Sequence, residues 1–482
     1  MSNPWPTQAF IAGDFVATKE SYPLRSPATG EILAEVANSG PAEARLALEA
    51  AVRAFGTWRV TPPDQRGELL GHWYREVLAH GEELAQTMTL EMGKPIKESW
   101  SELRYGAGFI SFYAEEARRI YGKFYPGPSS DKRIVVRMEP VGPVYAITPW
   151  NFPLAMVTRK LAPALAAGCP VILKPASQTP LTALFLAQLW QKVGGPAGTL
   201  QVLPSRNAGQ VSQPFLDDPR IRKLTFTGST EVGIELYQQA ARTVKRVSLE
   251  LGGHAPFLVF ADADLEAAVS EAVRAKFRNL GQSCVAANRI YVAEPVLGQF
   301  RELFVQAVKQ LKVGDPLDPE TDIGPLVDQK ALAKVSAQVE DACARGAELV
   351  LGGSSFGLTY LPTVLSGVSP GSQILREETF GPVAPIVPFR DQAEAISLAN
   401  DTPYGLAAYL WTRDLGQAFR VSEALAYGIV GVNDGAPSNP EAPFGGMKFS
   451  GIGREGGPWG LEEYLEPQYI SLKLPAASFR DE

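Results

Sequence analysis

Between residues 140 and 433 the chain twice runs through an alternation of β-type apolar segments and helical stretches, and nothing else in it restricts the fold so strongly. The first series follows IVVRM (134–138) and comprises VGPVYAIT (141–148), PVILK (170–174), LQVL (200–203), KLTF (223–226) and RVSLE (246–250), with helical stretches between them, one near 180–193. The second begins at PFLVF (256–260) and continues through a helix at 264–280, RIYVA (289–293), helices at 296–312 and 327–345, and AELVL (347–351). Strands separated by helices pair in parallel through right-handed crossovers. Each series therefore predicts a doubly wound, Rossmann-like sheet. Upstream, residues 10–37 read as short strands around the turn Pro27-Ala28-Thr29-Gly30. Pro41 opens a helix whose Leu48, Val52 and Phe55 share one face, and further helices are predicted over about 64–89 and 96–120. The tail, 459–482, contains WGLEEYLEPQYISLKL and reads as β; with no place in its own domain, it suggests an arm exchanged in an oligomer.

Composition narrows the function. The 482 residues carry a net charge of −7 with no Lys/Arg run, which argues against a nucleic-acid surface while leaving room for a locally basic pocket. No stretch of about 18 apolar residues predicts a membrane span. Three scattered cysteines (Cys169, Cys284, Cys343) and three histidines (His72, His80, His254) show neither a disulfide framework nor metal-ligand spacing, so no metal is expected. The start, MSNPWPTQAF, has no signal or transit pattern, so a cytoplasmic location is the expectation.

The residues able to do chemistry lie at strand ends and turns. Cys284, in FRNLGQSCVAANR, follows a polar turn where a thiol is accessible, whereas Cys169 in LAAGCPVIL reads as a small core residue. Glu250 ends RVSLE before two glycines and is placed either as a base or as an exposed strand terminus. Asn151, in TPWNFPL, offers an amide to an oxyanion or a plain helix cap. Lys174, at the carboxyl end of PVILK, sits where α/β sheets bind ligands. FTGSTEVG (226–233) follows a strand and opens a helix, so Gly228, Ser229 and Thr230 serve an anion or only the helix N-terminus. The lone G-x-G-x-x-G at 451–456 follows no strand and is discounted as a dinucleotide fingerprint.

TPWNFPL, LKPAS, FTGST, LELGG, GQSC, EETFGP and PFGGMKFSG occur in the order seen in the aldehyde dehydrogenase superfamily, and the resemblance covers about residues 8–474. TRKLAPALAAGC, KRVSLELGGHAPFLVF, KFRNLGQSC and GLEEYLE look most like its succinate-semialdehyde dehydrogenase branch. The resemblance implies an NAD(P)-binding domain at 1–120 and 143–250, a catalytic domain at 251–433, a β oligomerisation arm at 121–142 and 459–482, and a return segment at 434–458 lining the substrate entrance. It implies Cys284 as nucleophile, Asn151 as oxyanion donor, Glu250 as the base for hydrolysis, and Lys174 as a further catalytic-site residue. Trp150, Asn151, Lys174, Pro175, Ala176, Ser177, Gly228, Ser229, Leu251, Glu378 and Phe380 match the family's cofactor contacts, with Lys174 and Glu378 on the riboses. Members that strongly prefer NAD often carry Glu at the position of Ser177; the serine removes a charge that would repel a 2′-phosphate, so NADP is expected, with NAD also used. Arg159, Arg278 and Ser438 match a clamp for a substrate carboxylate. Ala286 stands where some members of the branch carry a second, redox-active cysteine. The implied activity is oxidation of succinate semialdehyde to succinate by a homodimer or homotetramer. Glutarate semialdehyde, 2-oxoglutarate semialdehyde or a broader range of aldehydes are the alternatives. A CoA-acylating enzyme usually lacks the Glu250 carboxylate, and a non-catalytic scaffold has no need of the intact Cys284, Glu250 and Asn151.

Overall fold

A computed structural model describes residues 5–475. The first βα series forms one eight-stranded sheet. Its five central strands run parallel in the spatial order Leu200–Val202, Val171–Lys174, Val144–Ile147, Lys223–Thr227, Arg246–Glu250. The strand that comes first in the chain, Val144–Ile147, thus lies between the second and the fourth, which opens a crevice at the carboxyl ends where ligands enter such sheets. Side chains alternate between the two faces, as a period of two demands. Val144, Ala146, Val171 and Leu173 pack with Trp73, Leu103 and Leu161 on one side, and Tyr145, Ile172, Leu224 and Phe226 pack with Leu48, Val211 and Leu236 on the other.

The second series forms a seven-stranded sheet. Six of its strands run parallel, in the order Thr363–Ser366, Val383–Phe389, Ala287–Ala293, Ala255–Val259, Ala407–Trp411, Ile429–Val432, with Glu348–Leu351 antiparallel at one edge. It too is doubly wound, with Phe257, Ile290 and Val292 in one core and Leu258, Tyr291 and Leu410 in the other. Only Leu251–His254 separate strand Arg246–Glu250 from strand Ala255–Val259. So short a connection sets the carboxyl end of the first sheet against the amino end of the second.

Two expectations are corrected. The helix predicted over 64–89 is two, Pro63–Ala79 and Gly81–Met92, broken at His80. A Cβ at Gly81 would stand 2.8 Å from Leu103 Cδ2, so the break and the glycine together let the second helix lie against Ile96–Glu116. In the tail, residues Gly457–Glu462 are helical and the strand starts only at Leu465; its last residues, 476–482, fall outside those described. The tail strand Leu465–Lys473 is also not without a partner in its own chain. It pairs antiparallel along all nine residues of Lys132–Pro140, which in turn pairs with Lys123–Pro126. The resulting three-stranded sheet projects Phe124, Tyr125, Tyr469 and Leu472 into solvent. Among the described residues no helix is long and apolar enough to cross a membrane.

Candidate active site

Cys284 sits on a turn that the sequence forces into an unusual path. Helix Leu265–Phe277 ends, and Asn279 (φ 52°), Leu280 (φ 58°) and Gly281 (φ 70°) follow in the left-handed region. Each non-glycine residue there costs about 1–2 kcal/mol, so the turn needs outside support. The Asn279 N–H donates to half-buried Glu98 Oε2 (2.6 Å) and its side-chain amide to Asn151 O (2.9 Å), while Val327 N–H donates to Gln282 Oε1 (3.0 Å). Two glycines permit the close approaches. A Cβ at Gly281 would lie 2.3 Å from Gly381 O, and one at Gly253 would lie 2.2 Å from the Cys284 carbonyl oxygen. This turn precedes strand Ala287–Ala293, so the thiol lies at the amino end of the second sheet, facing the carboxyl ends of the first.

The thiol opens onto two cavities. One is a cleft of about 560 Å³ between the sheets, to which Trp150, Asn151, Gly228, Ser229, Leu251, Glu378, Phe380 and Cys284 all contribute. The other is a narrow slot of about 20 Å³ formed by Cys284 with Tyr105, Phe152, Arg159, Arg278, Ser438 and Phe444. Tyr105, Arg278 and Ser438 also line an outer cavity of about 370 Å³, so the slot leads outward past them. Lys174, Pro175 and Ala176 are buried at the end of strand Val171–Lys174 and are not among the residues lining the cleft. Ser177 lines a neighbouring cavity of about 360 Å³ with Arg25 and Arg206.

Strand order explains the cleft wall. Trp150 and Asn151 follow the first strand and Gly228 and Ser229 follow the fourth, the two sides of the crevice. Ser229 caps helix Thr230–Ala241, its Oγ accepting from Val232 N–H (3.4 Å), so the helix N-terminus, favourable to an anion, faces the cleft. Trp150 and Phe380, itself left-handed at φ 53°, meet edge to face at 5.7 Å. Glu378 accepts from Gly253 N–H (2.9 Å), and burial pushes its carboxyl up to about 7. Lys174 donates to Pro175 O (3.1 Å), and burial pushes its ammonium down to about 8.

Around the thiol, burial decides the charges. It pushes Cys284 up to about 12, against the pull of the Arg159 guanidinium. Glu250, 2% exposed, is raised well above the usual carboxylate range by burial and by the nearby Glu455 carboxylate, and its Oε2 has no hydrogen-bond partner. A surface strand end is thereby excluded for it. The Asn151 side-chain amide donates to Gln282 O (3.1 Å), two residues before the thiol. Cys169 is fully buried, with burial pushing it to about 11, as a core thiol should be.

Arg159 is 1% exposed; its Nε meets Glu455 Oε2 at 2.5 Å and its guanidinium covers the Phe444 ring at 4.2 Å. It is therefore a structural ion-pair partner as well as a wall of the slot. Arg278 is half-buried, 5.1 Å from the Phe152 ring centre, with no ion pair among the described residues. The sequence reading missed Glu455, Lys160 and Tyr105. Glu455 bridges Arg159 and Lys160 (2.5 Å each), and it stands inside the discounted G-x-G-x-x-G stretch, whose Gly451–Ile452 forms the edge strand beside Arg246–Glu250. Charged residues set among glycines, Arg454 and Glu455, were the one signal available there.

A thiol shared by a dinucleotide-sized cleft and a slot walled by arginines defines an enzyme that joins a bound cofactor to a small anionic substrate through a cysteine. The model of the aldehyde dehydrogenase family matches residues 15–470, and the chain belongs to that family. It is 49% identical to the succinate-semialdehyde dehydrogenase [NADP(+)] of Escherichia coli K12 over 98% of this chain and 99% of that one. It is 48% identical to the glutarate-semialdehyde dehydrogenase of Pseudomonas putida KT2440, over 97% and 98% of the two chains. A crystal structure described as an E. coli NADP dependent enzyme superposes with a TM-score of 0.97 at 49% identity, covering 98% of this chain and 99% of that one.

Proposed function

We propose that the chain oxidises a short semialdehyde carrying a distal carboxylate, succinate semialdehyde first, to the corresponding acid, with NADP preferred over NAD. The observation that carries this reading is the placement of Cys284 on the walls of both the cleft and the arginine-lined slot. The Cys284 thiolate adds to the aldehyde carbon, and the carbonyl electron pair moves to oxygen. The Asn151 side-chain amide and the Cys284 backbone N–H donate to that oxyanion. The cleft fits a nicotinamide dinucleotide, which when bound accepts hydride and leaves the substrate as a thioester on Cys284. Glu250, through its unpartnered oxygen, takes a proton from water; hydroxide adds, the C–S bond breaks, and the acid departs as the thiol is restored.

For the cofactor, the N-terminus of helix Thr230–Ala241 would receive the pyrophosphate, Glu378 and Lys174 would hold the riboses, and Trp150, Leu251 and Phe380 would border the nicotinamide. Pro175 and Ala176 carry the turn from Lys174 to Ser177. The two guanidinium groups that share a cavity with Ser177 favour the extra phosphate of NADP. The same name in the E. coli relative and in the superposed structure supports that choice. For the substrate, Arg278, Arg159 and Ser438 receive the carboxylate. A second reading, glutarate semialdehyde, is favoured by Arg278 and Ser438 facing the outer cavity as well, which leaves room for one more methylene. Residues 1–120 and 143–250 act as the cofactor domain, 251–433 as the catalytic domain and 434–458 as the entrance segment. The exposed aromatic sheet of 121–142 and 459–475 joins copies into a dimer or tetramer, which sedimentation would reveal. A kcat/KM panel of C4, C5 and C6 semialdehydes and butanal with both cofactors tests the reading. Equal use of butanal would make the chain a general aldehyde dehydrogenase, and turnover with NAD alone would remove the NADP preference.

A further inference from the structure

Outside the thiol, the slot and the cleft, the most completely desolvated ion pair among the described residues is Lys94–Glu102, with both side chains at 0% exposure. Lys94 is delivered inward by the sequence on either side of it. Gly93 closes helix Gly81–Met92 at φ +88°, where a Cβ would lie 2.8 Å from both Pro27 and Pro325, and Pro95 starts the next helix, Ile96–Glu116. A buried ammonium must use its three donors well. Its Nζ donates to Glu102 Oε2 (2.5 Å) and to the backbone carbonyl of Asn151 (2.7 Å), and it lies 4.2 Å from the centre of the Phe152 ring.

Glu102 spends its other oxygen on the following segment. Its Oε1 accepts from Leu154 N–H (2.8 Å) and Ala155 N–H (3.0 Å), the start of helix Ala155–Ala167, which bears Arg159 and Lys160. The Asn151 carbonyl receives a second donor, the Asn279 side-chain amide (2.9 Å), from the nucleophile turn. Two donors on one carbonyl, arriving from different elements, fix the orientation of the peptide that follows Asn151. The side-chain amide of that residue is then left bonded to Gln282 O (3.1 Å), beside Cys284. An ion pair needed only to join helices would be satisfied by its own partner and by the helix N-terminus. Here the ammonium also grips the residue that carries the oxyanion donor.

We propose that Lys94, held by Glu102, is a positioning residue for catalysis: it acts through the Asn151 carbonyl to set the Asn151 amide where the oxyanion forms. The proposal rests on the reading of Asn151 as oxyanion donor. It predicts dependence of one residue on the other, which a double-mutant cycle measures.

The experiment compares Lys94→Met, Asn151→Ala and the double variant by stopped-flow reduction of NADP in a single turnover with succinate semialdehyde, alongside the cofactor Kd and thermal melting. Lys94→Met is expected to slow the single turnover by about 10- to 100-fold in the native background, with the cofactor Kd unchanged, because an oxyanion donor removed or misplaced costs about 10²–10³ at most. On the Asn151→Ala background the same change is expected to alter the rate by less than about threefold, although it lowers the melting temperature in both backgrounds. Removing one partner of a buried pair leaves the other charge stranded. Should Lys94→Met not fold, Lys94→Met/Glu102→Gln removes both charges and keeps an acceptor for the two helix N–H groups, and it replaces Lys94→Met in the same cycle. Equal fold-losses in the two backgrounds, or no loss in the native one, would overturn the proposal. Asn151→Ala turning over at the native rate would instead remove the oxyanion reading itself, and the positioning proposal with it.

Discussion

Arg278→Ala separates recognition of the substrate's carboxylate from everything else the site does. The Arg278 guanidinium faces both the slot and the outer cavity, and its side chain makes no ion pair or hydrogen bond among the described residues, so deleting it breaks no direct contact of that kind and removes only a longer-range charge that favours the ionised Glu98 carboxyl. What is lost is one charge-assisted contact to the substrate, worth about 1.5–3 kcal/mol, or about 10- to 150-fold in kcat/KM. The group is only half-buried, so water screens part of that and the lower half of the range is expected. The assay is steady-state kcat/KM for succinate semialdehyde and for butanal, which has the same carbon chain without the carboxylate. The first should fall by at least about tenfold and the second by less than about threefold. Equal losses for the two aldehydes would refute the clamp. Arg159→Ala cannot serve the same purpose, because it also breaks the buried pair with Glu455 and withdraws the cation that most favours ionised Cys284 and Glu250, so both aldehydes should suffer.

Ser177→Glu sets a carboxylate in the cavity shared with Arg25 and Arg206, and should lower kcat/KM for NADP by about tenfold or more while sparing NAD; an unchanged cofactor ratio would show that Ser177 does not face the 2′-phosphate. Glu250→Gln should depress steady-state turnover by about 10²-fold or more yet retain a stoichiometric burst of reduced cofactor in stopped flow, since only hydrolysis of the thioester loses its base. The same variant should bring the pH midpoint for alkylation of Cys284 by iodoacetamide down from its alkaline position.

The two sheets were legible, though not their strand order, because parallel strands buried on both faces read as apolar runs, VIL and PFLV among them, and helices between them demand crossovers. The strand-end position of Glu250 was equally plain, but not its burial, which comes from the antiparallel strand Gly451–Ile452 laid along its edge about 200 positions later. Glu455 escaped for the same reason. Its partners, Arg159 and Lys160, lie on a helix that local sequence cannot connect to it. The break at His80 was hidden because the apolar stripe of one helix runs on into the next. Lys94 was invisible because a lysine beside a proline reads as a solvated turn until the fold shows what closes over it. The tail was legible as a strand from Leu465 onward, but its pairing with Lys132–Pro140 of the same chain, a contact across more than 300 residues, was not legible from local pattern, and only the family resemblance grouped the two segments.

The effect expected on alkylation follows from counting charges around the thiol. Burial pushes the Lys160 ammonium down and the Glu455 carboxylate pulls it back up; with Lys160 charged, it and Arg159 hold the Glu455 carboxyl below its usual range and leave one net positive charge in the cluster. One further anion balances it, and two groups compete for that role. Glu250 is pulled toward ionisation by Arg159, Lys160 and Arg454, and Cys284 by Arg159, while the Glu378 carboxylate and then the Glu250 carboxylate push the Cys284 thiol up. Burial opposes both, so the low-dielectric cluster supports one ionised group far more readily than two. That exclusivity suits a reaction in which a thiolate is needed first, for addition, and a carboxylate only later, for hydrolysis, when the sulfur is tied up in a thioester and carries no charge. Glu250→Gln removes one of the two carboxylates that oppose the thiolate and leaves Glu378 in place, so the thiolate should form at lower pH than in the native chain. If Glu250 instead drew the proton from the thiol, the glutamine variant would be alkylated more slowly at every pH. That result would show the carboxylate to be the activator of Cys284 rather than its rival.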